Sequence, residues 1–167
     1  MELLIMRKAT MADLDDLVRL EAACFPPAEA ASREQMRERL EHFPDHFRAA
    51  IRDGRMIAYV DGLVTNLPHL SDDMYADAGM HQEDGAWQMI FSLCTDPAEQ
   101  HKGYGRAILE QMIDDARNQG RLGVVLTCKN RMIPFYRKFG FVDEGSSSSN
   151  HGGAVWNQMR LTFGNRS

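Results

Sequence analysis

The sequence predicts an α/β (α+β) domain with a mixed, mostly antiparallel sheet flanked by helices. Two local observations point toward it. An Asp53-Gly54 connection joins two strand-like runs, which pairs them antiparallel. An apolar run at 87–95 of strand length is followed by a glycine-rich turn and then by an amphipathic helix, the order of a strand feeding a helix that packs back on its own sheet.

Taken in order, residues 3–6 suit a short strand, and Thr10 with Asp13 three positions on forms a capping box that opens a helix turning Leu14, Leu17 and Val18 inward. Pro26 and Pro27 break that helix. Ser32 with Gln35 caps a second one, whose Met36, Leu40 and Phe43 recur at i, i+4 and i+7 and which Pro44 helps to end. Runs at 47–52 and 56–65 flank Asp53-Gly54-Arg55 and make the hairpin. Residues 66–85 turn polar and read as a long loop with one helical turn at 72–76, and loops of that length are often functional. The strand at 87–95 then leads to a helix carrying Leu109, Met112, Ile113 and Ala116 on one face, closed by Gly120 as a left-handed cap. A buried strand at 124–127, a short helix at 133–138 and a last strand at 154–163 complete the series. Ser146 to Ser149 reads as a mobile loop tip.

The chain of 167 residues fits one domain, 1–167, with a real core, since domains of this size bury roughly 70% of their unfolded surface. Nineteen Lys and Arg against 24 Asp and Glu give a net charge of -5, which disfavours non-specific binding to nucleic acid, so a phosphate-bearing ligand must be held locally. Cys24, Cys94 and Cys128 are odd in number, far apart and set in apolar runs, which predicts reduced thiols and a cytoplasmic protein. No signal peptide is read at the start, because Arg7 and Lys8 follow the apolar stretch, and no window approaches the ~20 apolar residues of a membrane span. No metal site is expected: His42 and His46 lie at i, i+4, but Pro44 breaks the helix between them and a third ligand is not evident.

The element that carries chemistry is Gln100-His101-Lys102-Gly103-Tyr104-Gly105, placed between strand and helix, where backbone N–H groups and the helix dipole converge on an anion. Taken alone, the element reads better as a plain tight turn. Gly105 is followed by Arg106 and Ala107, not Lys-Ser/Thr, so it is no nucleotide-triphosphate loop. The second element runs LTCKNRMIPFYRKFGF from Leu126 to Phe141. The ordered pair QHKGYG and PFYRKFGF resembles the acetyl-coenzyme A core of the GNAT superfamily, and within it the serotonin (arylalkylamine) N-acetyltransferase group. The likeness is clearest over 87–141 and extends more loosely to FPPAEAAS and HGGAVWNQM.

The fold expectation leans on this resemblance, which implies a sheet whose strands 87–95 and 124–128 splay to admit acetyl-coenzyme A. It places Gln100, His101, Lys102, Gly103, Tyr104 and Gly105 around the cofactor's pyrophosphate, with Arg106 continuing that contact. Leu93, Cys94 and Thr95 fall where relatives pair main chain with the pantetheine arm. Asn130 lies in a cofactor-contacting loop, and Tyr136 matches the tyrosine beside the sulfur, with the role of general acid. Where serotonin N-acetyltransferases carry two histidines on the central strand this chain has Met89 and Phe91, so the catalytic base passes to Glu29, which matches a glutamate of insect and microbial members. As a bare residue Glu29 reads equally well as a solvated side chain near a helix start, Tyr136 reads as a core-edge tyrosine, and Met89 and Phe91 read as core.

An alkylamine with a pKa near 10.4 is protonated at pH 7, so exposing its lone pair costs roughly 4 to 5 kcal/mol, and a base must take the proton. The activity the resemblance implies is acetyl transfer from acetyl-coenzyme A to a small primary amine, an arylalkylamine or polyamine, in a ternary complex. Acetylation of a protein N-terminus or lysine, or acyl-coenzyme A binding without catalysis, are its rivals. A homodimer is open, since edge strands near the C-terminus either pair between subunits or are covered within one chain.

Overall fold

The computed structural model describes residues 3–147, 149 and 151–164. Its elements run β1 (Leu4–Arg7), α1 (Leu14–Cys24), α2 (Arg33–His42), β2 (Phe47–Arg52), β3 (Arg55–Asp61), β4 (Val64–Thr65), α3 (Asp72–Ala76), β5 (Trp87–Ile90), β6 (Ser92–Thr95), α4 (Tyr104–Asn118), β7 (Gly123–Cys128), α5 (Ile133–Arg137), β8 (Val142–Ser146) and β9 (Asn157–Thr162). Both predicted capping boxes form: Thr10 opens a short 3-10 turn that runs into α1, and Ser32 accepts the Gln35 N–H at the start of α2. Asp53 and Gly54 both take positive φ, 50° and 82°, the geometry of a type I′ turn whose twist matches the strands it joins. Arg52 pairs directly with Arg55 across it.

The strands form two sheets, ordered β1-β2-β3-β6 and β4-β5-β7-β9-β8. Every pairing is antiparallel except β5 with β7. The run expected as one strand over 87–95 is two strands, broken at Phe91. Its first half pairs with β7 and its second half with β3, so β6 and β7 diverge and leave a gap between the sheets. That break is the splay the resemblance implied. The expected strand 56–65 also divides, since β3 stays in the first sheet while β4 pairs with β5 in the second. The last strand is shorter than the expected 154–163 because Val155 is exposed and only Asn157–Thr162 joins β7. β8 was not expected at all: its side chains are mostly exposed and show no apolar alternation, so pairing with β9 alone makes it a strand.

Two apolar clusters pack the opposite faces of the first sheet. Leu17 and Leu20 of α1, Met36 and Leu40 of α2, and Phe47 and Tyr59 of the strands fill one. Val60 and Ile57 of β3 with Ile108, Leu109, Met112 and Ile113 of α4 fill the other. Alternation along β3 divides Tyr59 from Ala58 and Val60 in this way, and each such side chain contributes about 1.5 to 3 kcal/mol for its burial. Gly120 takes φ of 80° just past α4, as its cap position required. The cysteines are free, Cys94 and Cys128 buried and Cys24 half-buried. No helix among the described residues is long and apolar enough to cross a membrane. The serine tip is a correction: Ser147 donates its N–H to Trp156 and the buried Ser149 hydroxyl binds Asp72, which fasten it to the body, while Ser148 lies outside the described residues.

Candidate active site

The gap between β6 and β7 opens into a cavity of about 510 Å³ that reaches from the glycine turn to the 25–31 segment. At one end His101 and Gly103 take positive φ, 66° and 89°, and Gly103 caps α4. The first intrahelical bond runs from Ala107 N–H to Gly103 carbonyl, so the N–H groups of Tyr104, Gly105 and Arg106 lack helical acceptors and are free for an anion. The turn is braced from beneath by Arg52, which pairs with Glu99 and donates to the Tyr104 hydroxyl. Arg52 holds the Glu99 carboxyl at about 2. Gly105 sits tightly over β6: a Cβ there would lie 3.3 Å from Thr95 Oγ1.

Gln100, His101, Gly103, Tyr104, Gly105 and Arg106 all line the cavity, as do Leu93 and Thr95. The Cys94 side chain instead joins the core beside Glu21, and Cys94 does not line the cavity. Lys102 is exposed and paired with Glu99, and Asn130 is exposed with its amide oxygen bound by Asn157; neither lines the cavity.

Tyr136 lines the cavity from α5, 7% exposed, its ring edge-on to Phe135 and Phe141. Among the described residues its hydroxyl has no hydrogen-bond partner. Burial raises its pKa well above the ordinary value, so the phenol keeps its proton throughout the neutral range.

At the other end two carboxylates line the cavity. Glu21 is saturated: Oε1 accepts from the hydroxyls of Tyr59 and Ser92, and Oε2 accepts the Ala31 N–H at 2.8 Å. Glu29 is not. Lys129 Nζ donates to its Oε2 at 2.9 Å, while Oε1 is buried without a hydrogen-bond partner among the described residues, an uncommon condition for a buried acceptor. An aromatic row faces it. Tyr75 lies 4.8 Å from Phe91 on one side and stacks on His151 at 4.7 Å and 10° on the other, with Trp156 beyond at 6.0 Å. The Tyr75 hydroxyl meets Thr127 Oγ1 at 3.1 Å, and burial pushes it up to about 12. Behind Phe91, Arg39 pairs with the fully buried Asp61 at 3.2 Å, and burial raises the Asp61 carboxyl to about 7. Phe91 thus borders the cavity whereas Met89 is wholly core.

Glu21, Arg39, Tyr75, Lys129, His151 and Trp156 escaped the sequence reading. LTCKNRMIPFYRKFGF, which contains Lys129, and HGGAVWNQM, which contains His151 and Trp156, were noted for their resemblance without a role for these side chains. His46 meets His81 and Glu83, not His42, with ligand atoms within 4.8 Å. Val64 N–H donates to His81 Nδ1, so His81 Nε2 carries a proton and donates to Glu83, and the trio is held by hydrogen bonds.

The family model of the Acetyltransferase (GNAT) family matches residues 14–141. The probable hydrolase YhcX of Bacillus subtilis is 25% identical over 81% of this chain, and serotonin N-acetyltransferase 2 of Oryza sativa is 32% identical over 35% of it. The chain spans 27% and 30% of the length of these two relatives. Among solved structures, the GphF GNAT-like decarboxylase in complex with isobutyryl-CoA superposes with a TM-score of 0.83 at 21% identity, covering 95% of this chain and 98% of that one. That likeness agrees with the mixed sheet and its flanking helices. With the family model matching most of its length, the chain belongs to the Acetyltransferase (GNAT) family.

Proposed function

We propose that this protein transfers the acetyl group of acetyl-coenzyme A to a small primary amine, preferentially an arylalkylamine, by direct attack in a ternary complex. The observation that carries the reading is the Glu29 carboxylate, which lines the same cavity as the glycine turn and Tyr136 and whose Oε1 has no hydrogen-bond partner among the described residues. The row of Phe91, Tyr75, His151 and Trp156 supports an aromatic substrate by offering ring faces along the path to that carboxylate. Both oxygens of Glu21 already accept hydrogen bonds within the protein, which makes it the poorer base.

In this reading the pyrophosphate rests on the N–H groups of Tyr104 to Arg106 and the pantetheine arm follows β6 into the gap. Glu29 takes a proton from the ammonium, the freed nitrogen attacks the thioester carbonyl, and a β6 N–H steadies the oxyanion. Collapse breaks the C–S bond, Tyr136 gives its proton to the departing thiolate, and the second proton of the attacking nitrogen passes to the resulting phenolate, which leaves the neutral amide and restores Tyr136. A screen of tryptamine, phenethylamine, spermidine and a peptide amine, reading thiol release, tests it. Arylalkylamines should turn over fastest. Preference for the peptide would move the reading to protein acetylation, and no amine-dependent release would leave an acyl-coenzyme A binding module.

A further inference from the structure

We infer that the His151-Gly152 turn is the device that holds Glu29 in its reacting position, and that His151 is a positioning residue for amine deprotonation. The inference rests on Glu29 being the base.

Glu29 stands on a turn that its own segment holds weakly. Its N–H and that of Ala30 both donate to the Pro26 carbonyl, and the Ala31 N–H donates to Glu21, which fastens one end of the segment without orienting the Glu29 side chain. Orientation comes from far along the chain. Lys129 binds Oε2, His151 Nε2 meets the Glu29 carbonyl at 2.7 Å, and the backbone of Gly152 lies directly against the side chain. A Cβ at Gly152 would stand 2.4 Å from Glu29 Cγ and 3.2 Å from the Ala28 carbonyl oxygen, and φ there is 65°. Position 152 therefore admits only a glycine while Glu29 lies where it does.

His151 is itself held on several sides. Its ring stacks on Tyr75, its carbonyl accepts the Trp156 Nε1–H at 2.8 Å, and its N–H reaches Ser149 Oγ at 3.3 Å. Because a carbonyl only accepts, Nε2 must be the protonated nitrogen, so it acts as a donor to Glu29 and not as a base at that atom. The clamp leaves Glu29 Oε1 vacant while fixing the main chain, Cγ and Oε2 around it. Displacing a reacting group by about 1 Å can cost about 10²-fold in rate, which is the scale on which such a clamp acts.

The test is a double-mutant cycle on the full chain. His151→Phe keeps a ring to stack on Tyr75 and removes the N–H. It should lower kcat for the best amine of the screen by ~10- to 100-fold with acetyl-coenzyme A affinity little changed, while the thermal melt falls modestly because the Glu29 carbonyl loses its donor. His151→Gln, which places an amide N–H near the lost one, should recover the larger part of that turnover. Combined with Glu29→Gln, His151→Phe should add nothing, because it acts through a base no longer present. Gly152→Ala approaches the same contact from the other side and should reproduce the kcat loss; it serves as the probe if His151→Phe does not fold. Wild-type turnover in His151→Phe overturns the proposal, and so do multiplicative losses in the double mutant, which would make His151 an independent proton carrier. Glu29→Gln at wild-type rate is a separate outcome: it removes the base reading itself, whatever His151 does.

Discussion

Tyr136→Phe isolates one atom of the proposed mechanism. The hydroxyl has no hydrogen-bond partner among the described residues, and the ring is fixed by edge contacts to Phe135 and Phe141 that phenylalanine retains. Deleting the oxygen breaks no bond and leaves no partner unsatisfied, so stability should change by less than about 1 kcal/mol. For a chain of this size that is a melting shift within about 2 to 4 °C. Turnover is another matter. If Tyr136 protonates the leaving thiolate, its loss should lower kcat by roughly 10²-fold, about 2.7 kcal/mol of barrier, while acetyl-coenzyme A still binds. Because burial raises the phenol's pKa, the wild type should show no loss of this acid between pH 6 and 9, and the mutant's deficit should be constant across that range. The assay is thiol release at saturating amine, with calorimetry for the cofactor and a thermal melt for the fold. An unchanged kcat in a folded, cofactor-binding mutant would refute the role, and a melt lowered well beyond 4 °C would show that the hydroxyl is structural.

Three further outcomes are expected. Glu29→Gln should be most defective near neutral pH and recover as rising pH supplies free amine; wild-type kcat/KM from pH 6 to 9 would place the base elsewhere. Bulky residues at Gly103 or Gly105 should weaken coenzyme A binding in calorimetry, the first through strain at φ of 89° and the second through the 3.3 Å approach to Thr95 Oγ1. Arg39→Met strands Asp61 in the core and should cost about 3 to 5 kcal/mol in urea denaturation at pH 8 and less at pH 5. The sign follows from burial raising the Asp61 carboxyl above its unfolded value. The folded state holds that proton between about pH 4 and 7, so this group's stabilisation is full at low pH and is lost as pH rises through 7.

The sequence by itself determined the elements whose signals are local. Thr10 with Asp13, Ser32 with Gln35, Asp53-Gly54 and Gly120 each act through a backbone geometry set within a few residues, and each appears as expected. The glycine turn was legible for the same reason, since strand, turn and helix dipole are consecutive in the chain. Tertiary structure decided the rest. The break at Phe91 is invisible in a run that reads as one strand throughout, because it arises from competition between β3 and β7 for the two halves of that strand. β8 exists only through its pairing with β9. The end of the cavity away from the glycine turn is assembled from Glu21 and Glu29, from Tyr75 in the long loop, and from Lys129, His151 and Trp156. Hydrophobic periodicity reports which face of an element is buried, but it carries no record of which distant polar side chains that burial will bring together. The unpaired oxygen of Glu29, which distinguishes it from the saturated Glu21, is a property of packing alone.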